Sequence, residues 1–195
     1  AKINRYLDIF APLPDGMHPI HSVFQSVSWP DILSIQTDFS KGHFELSCNI
    51  PDLSESNILR HVWDLIHDRV PFGVSIHLTK QIPMGAGLGG GSSDAAAFLS
   101  LLSQLVPGSF PPTLLSSVAH QVGSDVPYFL MGGTSLVQGT GDTLRQLRDD
   151  TTPYYLLIVP PIHLNTAQRY QRLDQLSAAH TAPYSPIETV DPDAY

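Results

Sequence analysis

The sequence predicts an α+β fold, an antiparallel sheet of short strands covered by helices, and three observations carry that prediction. In the first third, apolar residues recur at every second position between turn residues, as in strands joined by tight turns. From Leu59 onward they recur at i, i+3, i+4 and i+7, the period of a helix lying on a core. Five glycines in seven positions, Gly85 to Gly91, then stand between a strand and a helix.

Lys2 to Phe10 alternates, with Ile3, Leu7 and Ile9 on one face and Lys2, Asn4 and Tyr6 on the other. Lys2 and Asn4 therefore point the same way. Pro14-Asp15-Gly16 is a turn signal, and the alternation of Val23 and Val27 with Ser22, Ser26 and Ser28 makes Ile20 to Trp29 the second arm of a hairpin. Strands over Ile32 to Asp38 and His43 to Cys48 are joined by Ser40-Lys41-Gly42, so the N-terminal third reads as one antiparallel sheet. Leu59, Val62, Trp63 and Ile66 define a helix from about Ser56 to Arg69, capped by Ser54 or Ser56. Val74, Ile76 and Leu78 alternate in a strand that leads into the glycine run. Ser92-Ser93-Asp94 then supplies capping hydroxyls and an acidic first turn for a helix over Ala95 to Leu105. Thr113 caps a helix that Gly123 ends, and Gly132-Gly133 separates strand-like pieces around Leu136 and Leu144. Tyr155 to Val159 reads as a strand, Thr166 as the cap of a helix through Leu176, and the proline-rich, acidic stretch Thr181 to Tyr195 as loop.

Composition narrows the function. With 195 residues and 42% hydrophobic content, the chain holds one sizeable core, or one domain and part of a second. Ten basic against 18 acidic residues give a net charge of -8, which argues against nucleic acid or an anionic membrane surface as a partner. Any anionic ligand must be held by local features. The single Cys48 excludes an internal disulfide and fits a reducing compartment. No apolar stretch is long enough to span a membrane, and the N-terminal residues lack the layout of a secretory signal, so the reading is cytoplasmic. The histidines, His61 and His67 among them, show no metal-ligand spacing.

The glycine run supplies the local feature. Glycines at the mouth of a helix let several backbone N–H groups converge, and the helix N-terminus adds about half a positive charge, so an anion binds there without lysine. Gly85, Gly87 and Gly90 match the dinucleotide spacing G-x-G-x-x-G, but that fold needs an acid roughly 20 residues further on, and no Asp or Glu occurs between Asp94 and Asp125. A Walker loop needs lysine where Gly91 stands, and the later motifs of a protein kinase are missing.

Pro83-Met84-Gly85-Ala86-Gly87-Leu88-Gly89-Gly90-Gly91-Ser92-Ser93 resembles the central motif of the GHMP kinases. The triple glycine resembles the branch that acts on 4-diphosphocytidyl-2-C-methyl-D-erythritol. Ala1-Lys2-Ile3-Asn4, Pro14-Asp15-Gly16-Met17-His18 with Val23-Phe24-Gln25, and Gly123-Ser124-Asp125-Val126-Pro127 resemble that branch in the same order, from Ala1 to about Tyr170.

The resemblance implies a GHMP N-terminal domain of the ribosomal protein S5 domain 2-like type over residues 1–150, with 151–195 as the start of an incomplete second α/β lobe. It implies transfer of a phosphoryl group from ATP, with Mg²⁺, to the 2-hydroxyl of the cytidine diphosphate-linked methylerythritol, a step toward isoprenoid precursors outside the mevalonate route. By position, Asp125 takes the hydroxyl proton, and Lys2 beside it keeps Asp125 ionised and neutralises the moving phosphoryl charge. Residues Pro83 to Ser93 hold the phosphates, Asn57 and Lys80 lie near adenine, and Asn4, Met17, His18, Thr166 and Tyr170 bind the substrate. The resemblance assigns neither metal ligands nor an oligomeric state. This chain has Met17 where the family usually places a tyrosine that stacks on cytosine, and a thioether also packs against a ring. Two alternatives stay open: a homoserine, mevalonate or sugar kinase of the same superfamily, and a nucleotide-binding module without catalysis.

Overall fold

A computed structural model describes residues 1–55, 57–148, 153–160 and 172–175. Along them run β1 (Lys2–Ile9), β2 (Ile20–Ser26), β3 (Ile32–Phe39), β4 (Phe44–Cys48), α1 (Asp52–Glu55), α2 (Ile58–Ile66), β5 (Gly73–Thr79), α3 (Gly90–Leu105), α4 (Pro112–Val122), α5 (Val126–Met131), β6 (Thr134–Gly139) and β7 (Thr143–Gln146). The chain forms two compact units. One comprises Ala1, Ser28–Ile82 and Gly89–Leu130; the other comprises Lys2–Val27, Pro83–Leu88 and the described residues from Met131 on.

In the first unit β5 lies between β3 and β4, antiparallel to β3 and parallel to β4. This corrects the expected β3–β4 hairpin and the single antiparallel sheet. The central position belongs to the most apolar strand, since Val74, Ile76 and Leu78 are all buried and both edges of β5 are paired. A glycine admits β5 at this point: a Cβ on Gly73 would lie 2.4 Å from the Ser40 carbonyl oxygen and 2.6 Å from the His43 Cβ. Helices cover the inner face with Leu59, Val62, Trp63 and Ile66 of α2, Phe98, Leu99 and Leu102 of α3, and Val118 and Ala119 of α4. The Trp63 ring stands 5.9 Å from Phe44 and 6.5 Å from Phe98, centroid to centroid. Each large apolar side chain buried in this way contributes about 1.5–3 kcal/mol.

The stripe expected of α2 is the one buried, but its cap is Asn57 rather than Ser54 or Ser56, and it gives way to a 3₁₀ turn over His67–Arg69. α4 starts with Pro112, whose ring presets the first helical turn, so Thr113 lies inside the helix and does not cap it; Gly123 ends it as expected.

In the second unit the order is β1-β2-β6-β7, all antiparallel. The β1–β2 hairpin is as expected. Its connection folds back through Gly16 (φ 82°), whose N–H donates to the Leu13 carbonyl at 2.8 Å. The β1–β2 register shifts between Asn4 and Tyr6, so the alternation expected to carry Lys2, Asn4 and Tyr6 on one face breaks at Arg5. Tyr155 to Val159, expected as a strand, joins no ladder, and the apolar Tyr154, Leu156 and Ile158 around it are exposed. Apolar alternation alone does not make a strand; a strand forms when the segment pairs with a neighbouring strand. Of the helix expected from Thr166 to Leu176, Arg172–Gln175 is described and helical; the rest lies outside the described residues. No helix among the described residues is long and apolar enough to cross a membrane.

Candidate functional site

The glycine run begins just after β5. Gly85, Gly87 and Gly89 have φ of 68°, 76° and 69°, the left-handed region that side chains disfavour. Alternate residues turned this way gather backbone N–H groups into an anion-holding concavity. A Cβ added at Gly87 meets nothing within 4 Å, so the turn is open there.

α3 starts at Gly90, inside the glycine run, with Gly89 as its cap and no side-chain cap bond. The expected start at Ala95 is corrected, and with it the capping role of Ser92 and Ser93 and the acidic first turn. A left-handed glycine already turns the chain into the helix, so no hydroxyl cap is needed. The first N–H groups of this 16-residue helix lack carbonyl partners, next to the glycine turn. That end suits a phosphate.

Beneath the start of α3 lies a buried charged cluster. The Lys80 ammonium donates to Asp31 Oδ2 and, at 2.8 Å, to Asp94 Oδ2, and the three side chains are 5%, 2% and 5% exposed. Asp31 Oδ1 also accepts from the N–H groups of Gln81 (2.5 Å) and Ile82 (2.8 Å). The Asn49 amide accepts from Lys80 N at 2.7 Å and donates to the Lys80 carbonyl at 3.1 Å. Burial raises the Asp94 carboxyl to about 6, against the pull of Lys80. Burial acts on Asp31 in the same direction, but hydrogen bonds from Ile82, Lys80 and Gln81 outweigh it and hold that carboxyl below its ordinary value. Burial lowers Lys80, and its bonds to the two carboxylates more than restore it, leaving it above its ordinary value.

Lys2 is buried in the second unit. Its N–H donates to the Leu88 carbonyl at 2.9 Å, which ties β1 to the glycine run. Its ammonium donates to Asn4 Oδ1 at 2.7 Å and stands 4.3 Å from the centroid of the Phe24 ring. Asn4 in turn donates to Ser22 Oγ at 2.8 Å. The expected pairing of Lys2 with Asn4 on one face is therefore present. Asp125 belongs to the first unit, directly ahead of α5, and its carbonyl accepts from Phe129 N at 3.4 Å.

His18 is fixed at both ring nitrogens. Nδ1 lies 2.9 Å from the Phe10 carbonyl, which only accepts, so Nδ1 carries the proton; Nε2 lies 3.4 Å from Asp174 Oδ1. Met17 is exposed, its N–H bonded to Asp15 Oδ1 at 2.9 Å. Asn57 uses both ends of its amide inside the fold: Oδ1 accepts from Leu59 N at 3.0 Å, and Nδ2 donates to the Leu53 carbonyl at 3.2 Å. Thr166 and Tyr170 lie outside the described residues. Sequence reasoning passed over Asp31 and Asn49, which lie 49 and 31 positions from Lys80. The available signal was Lys80 itself, a lysine at the end of an apolar strand, whose burial requires a counter-charge.

Residues 57–133 match the family described as GHMP kinases N terminal domain. The chain is 42% identical over 178 residues to the 4-diphosphocytidyl-2-C-methyl-D-erythritol kinase of Solibacter usitatus, covering 90% of this chain and 56% of that protein. It is 38% identical over 175 residues to the protein of the same name from Thermotoga maritima, covering 89% and 63%. A solved structure of 4-(cytidine 5'-diphospho)-2C-methyl-D-erythritol kinase superposes with a TM-score of 0.66 at 35% identity, over 75% of this chain and 53% of that one. Homoserine kinase from Cytophaga hutchinsonii, at 17% identity and a TM-score of 0.52, over 92% of this chain and 67% of that one, shares the fold. The chain thus spans between half and two thirds of the length of the curated relatives it matches.

Proposed function

The chain belongs to the GHMP kinases, and from that premise we propose that it transfers the terminal phosphoryl group of ATP to the 2-hydroxyl of 4-diphosphocytidyl-2-C-methyl-D-erythritol. The observation that carries the substrate is the shared name of relatives 38–42% identical over about nine tenths of this chain.

In this reading the glycine turn and the first N–H groups of α3 hold the phosphates through the backbone. Asp125 accepts the hydroxyl proton as the substrate oxygen attacks phosphorus, and the bond to the ADP oxygen breaks. Lys2 neutralises charge on the transferring group, and Asn4 orients the ammonium of Lys2 as well as the substrate. His18 meets the cytosine edge through Nε2, in place of the exposed Asp174 carboxylate, while Nδ1 stays on the Phe10 carbonyl; Met17 packs against the ring, and Thr166 and Tyr170 close over the base. The side chains of Asn57 and Lys80 are committed within the fold, so these positions shape the adenine side through their backbone and segments. Mg²⁺ fits as an ion delivered on the nucleotide, because it keeps several waters and takes phosphate oxygens. Among the described residues no group of three or more His, Cys, Asp or Glu side chains is arranged to hold a metal.

Mass spectrometry tests the reading. The chain is incubated with ATP, Mg²⁺ and the cytidine compound, alongside homoserine and mevalonate. A gain of one phosphate on the cytidine compound alone is expected; phosphorylation of homoserine or mevalonate instead would overturn the substrate assignment.

A further inference from the structure

The left-handed turn Gly85–Gly89 has two flanks in the first unit, Lys80–Ile82 before it and Gly90–Asp94 after it, and one side chain touches both. The Lys80 ammonium leaves the first flank and ends on Asp94, at the fifth residue of α3. It also lies against the first residue of that helix, 3.1 Å from where a Gly90 Cβ would stand. The first flank is itself pinned, by Asn49 on the backbone of Lys80 and by Asp31 on the N–H groups of Gln81 and Ile82.

We infer that Lys80, Asp31 and Asp94 form a positioning cluster that sets the span of the glycine turn, so that its N–H groups are arranged for a polyphosphate before the ligand arrives. The inference rests on the ATP reading above and deepens it, assigning to Lys80 a role on the phosphate side rather than a side-chain contact with adenine. A buried ammonium between two carboxylates suits this work. Its geometry is fixed by strong charge-assisted bonds, and the low exposure of all three side chains keeps water from competing for them. Preorganised donors bind an anion better than donors that must first be ordered.

Removing Lys80 alone orphans two buried carboxylates and endangers folding. The informative variants are therefore Asp94→Asn, which keeps a partner for the ammonium, and the double variant Lys80→Met/Asp94→Asn, in which Asp31 keeps its two backbone donors. Binding of ATP, inorganic tripolyphosphate and adenosine is measured by calorimetry, and amide exchange of Gln81, Ile82 and Ser93 is followed without ligand. The double variant is expected to bind ATP and tripolyphosphate about tenfold more weakly, the scale of a lost hydrogen bond to a charged group, a larger loss than for adenosine. Its amides at both flanks exchange faster. A folded double variant with unaltered exchange and unaltered tripolyphosphate affinity would overturn the positioning role, as would a loss confined to adenosine. A native chain that binds neither ATP nor tripolyphosphate, while exchange still separates the variants, would overturn the ATP reading and leave the role of the cluster in holding the turn intact.

Discussion

Lys80 Nζ lies 2.8 Å from Asp94 Oδ2 with both side chains almost wholly buried, and the burial of Asp94, which outweighs the pull of Lys80, makes stability depend on pH in an unusual sense. The folded carboxyl of Asp94 is raised from 3.8 to about 6, so its contribution is fully present below pH 3.8 and is lost as pH rises through about 6. At 1.36 kcal/mol per pH unit this loss is on the order of 3 kcal/mol. The neighbours act in other windows or in the opposite sense. Asp31, held low, contributes stability above pH 3.8 that disappears only in stronger acid, and Lys80, held high, loses its contribution only above pH 10.5. Urea unfolding between pH 4 and 7 is expected to show a falling term that Asp94→Asn removes. Parallel profiles for the two proteins would refute it.

Gly87 and Gly90 are required for different reasons and respond differently to alanine. At Gly87 the space is open but φ is 76°, so alanine costs about 1–2 kcal/mol in backbone strain and sets a methyl group into the turn. At Gly90 the backbone is helical and alanine gains about 1 kcal/mol in propensity, but its Cβ stands 3.1 Å from Lys80 Nζ and Ile82 Cγ2, which must yield. Gly87→Ala is therefore expected to lower both Tm and ATP affinity, and Gly90→Ala to hold Tm nearly constant. A Gly87→Ala protein with native Tm would show that the turn adopts another backbone conformation.

Much of this was legible in the sequence where a local period or a local turn decides the structure. The α2 stripe from Leu59 to Ile66, the alternation of β5 and the Gly16 turn each follow from residues within one turn or one pleat of each other. What the sequence pattern missed was decided at a distance. The insertion of β5 between β3 and β4 depends on Gly73 passing Ser40 and His43, some thirty residues away, at a spacing only glycine allows. α3 begins at Gly90 because Gly89 is left-handed, whereas the Ser-Ser-Asp signal resembles a cap and lies inside the helix. At the site, the glycine turn and the Lys2–Asn4 pair were readable as motif and parity. Asp31 and Asn49 were not, since a buried ammonium demands a counter-charge without saying where in the chain it lies.

Asn57 separates a cap from a ligand. Its Oδ1 holds Leu59 N at 3.0 Å at the start of α2, and Asn57→Ala is expected to cost about 1 kcal/mol in urea unfolding, with Asn57→Asp restoring part of it, because aspartate caps equally well but loses the bond to the Leu53 carbonyl. ATP affinity should follow the cap rather than the amide, so Asn57→Asp should bind ATP as the native chain does. A tenfold loss of affinity in Asn57→Asp with native stability would place the amide on the nucleotide.

Asp125 is the residue on which catalysis is staked. It stands directly ahead of α5, and Asp125→Asn keeps the shape of the side chain while removing its ability to take a proton. If it is the general base, kcat falls by about 10²- to 10⁴-fold with ATP affinity nearly unchanged, because the glycine turn and α3, proposed to hold the phosphates, are untouched. Lys2→Met should differ. The backbone bond from Lys2 to Leu88 survives the change, but the ammonium beside Asn4 and Phe24 is lost, so kcat falls while Tm moves little. Initial rates with the cytidine compound, together with calorimetric ATP titrations, distinguish the two roles. Near-native kcat in Asp125→Asn would remove it from the chemistry, and an equal loss of kcat and ATP affinity in Lys2→Met would make Lys2 a nucleotide ligand that acts in the ground state rather than on the transferring phosphoryl group.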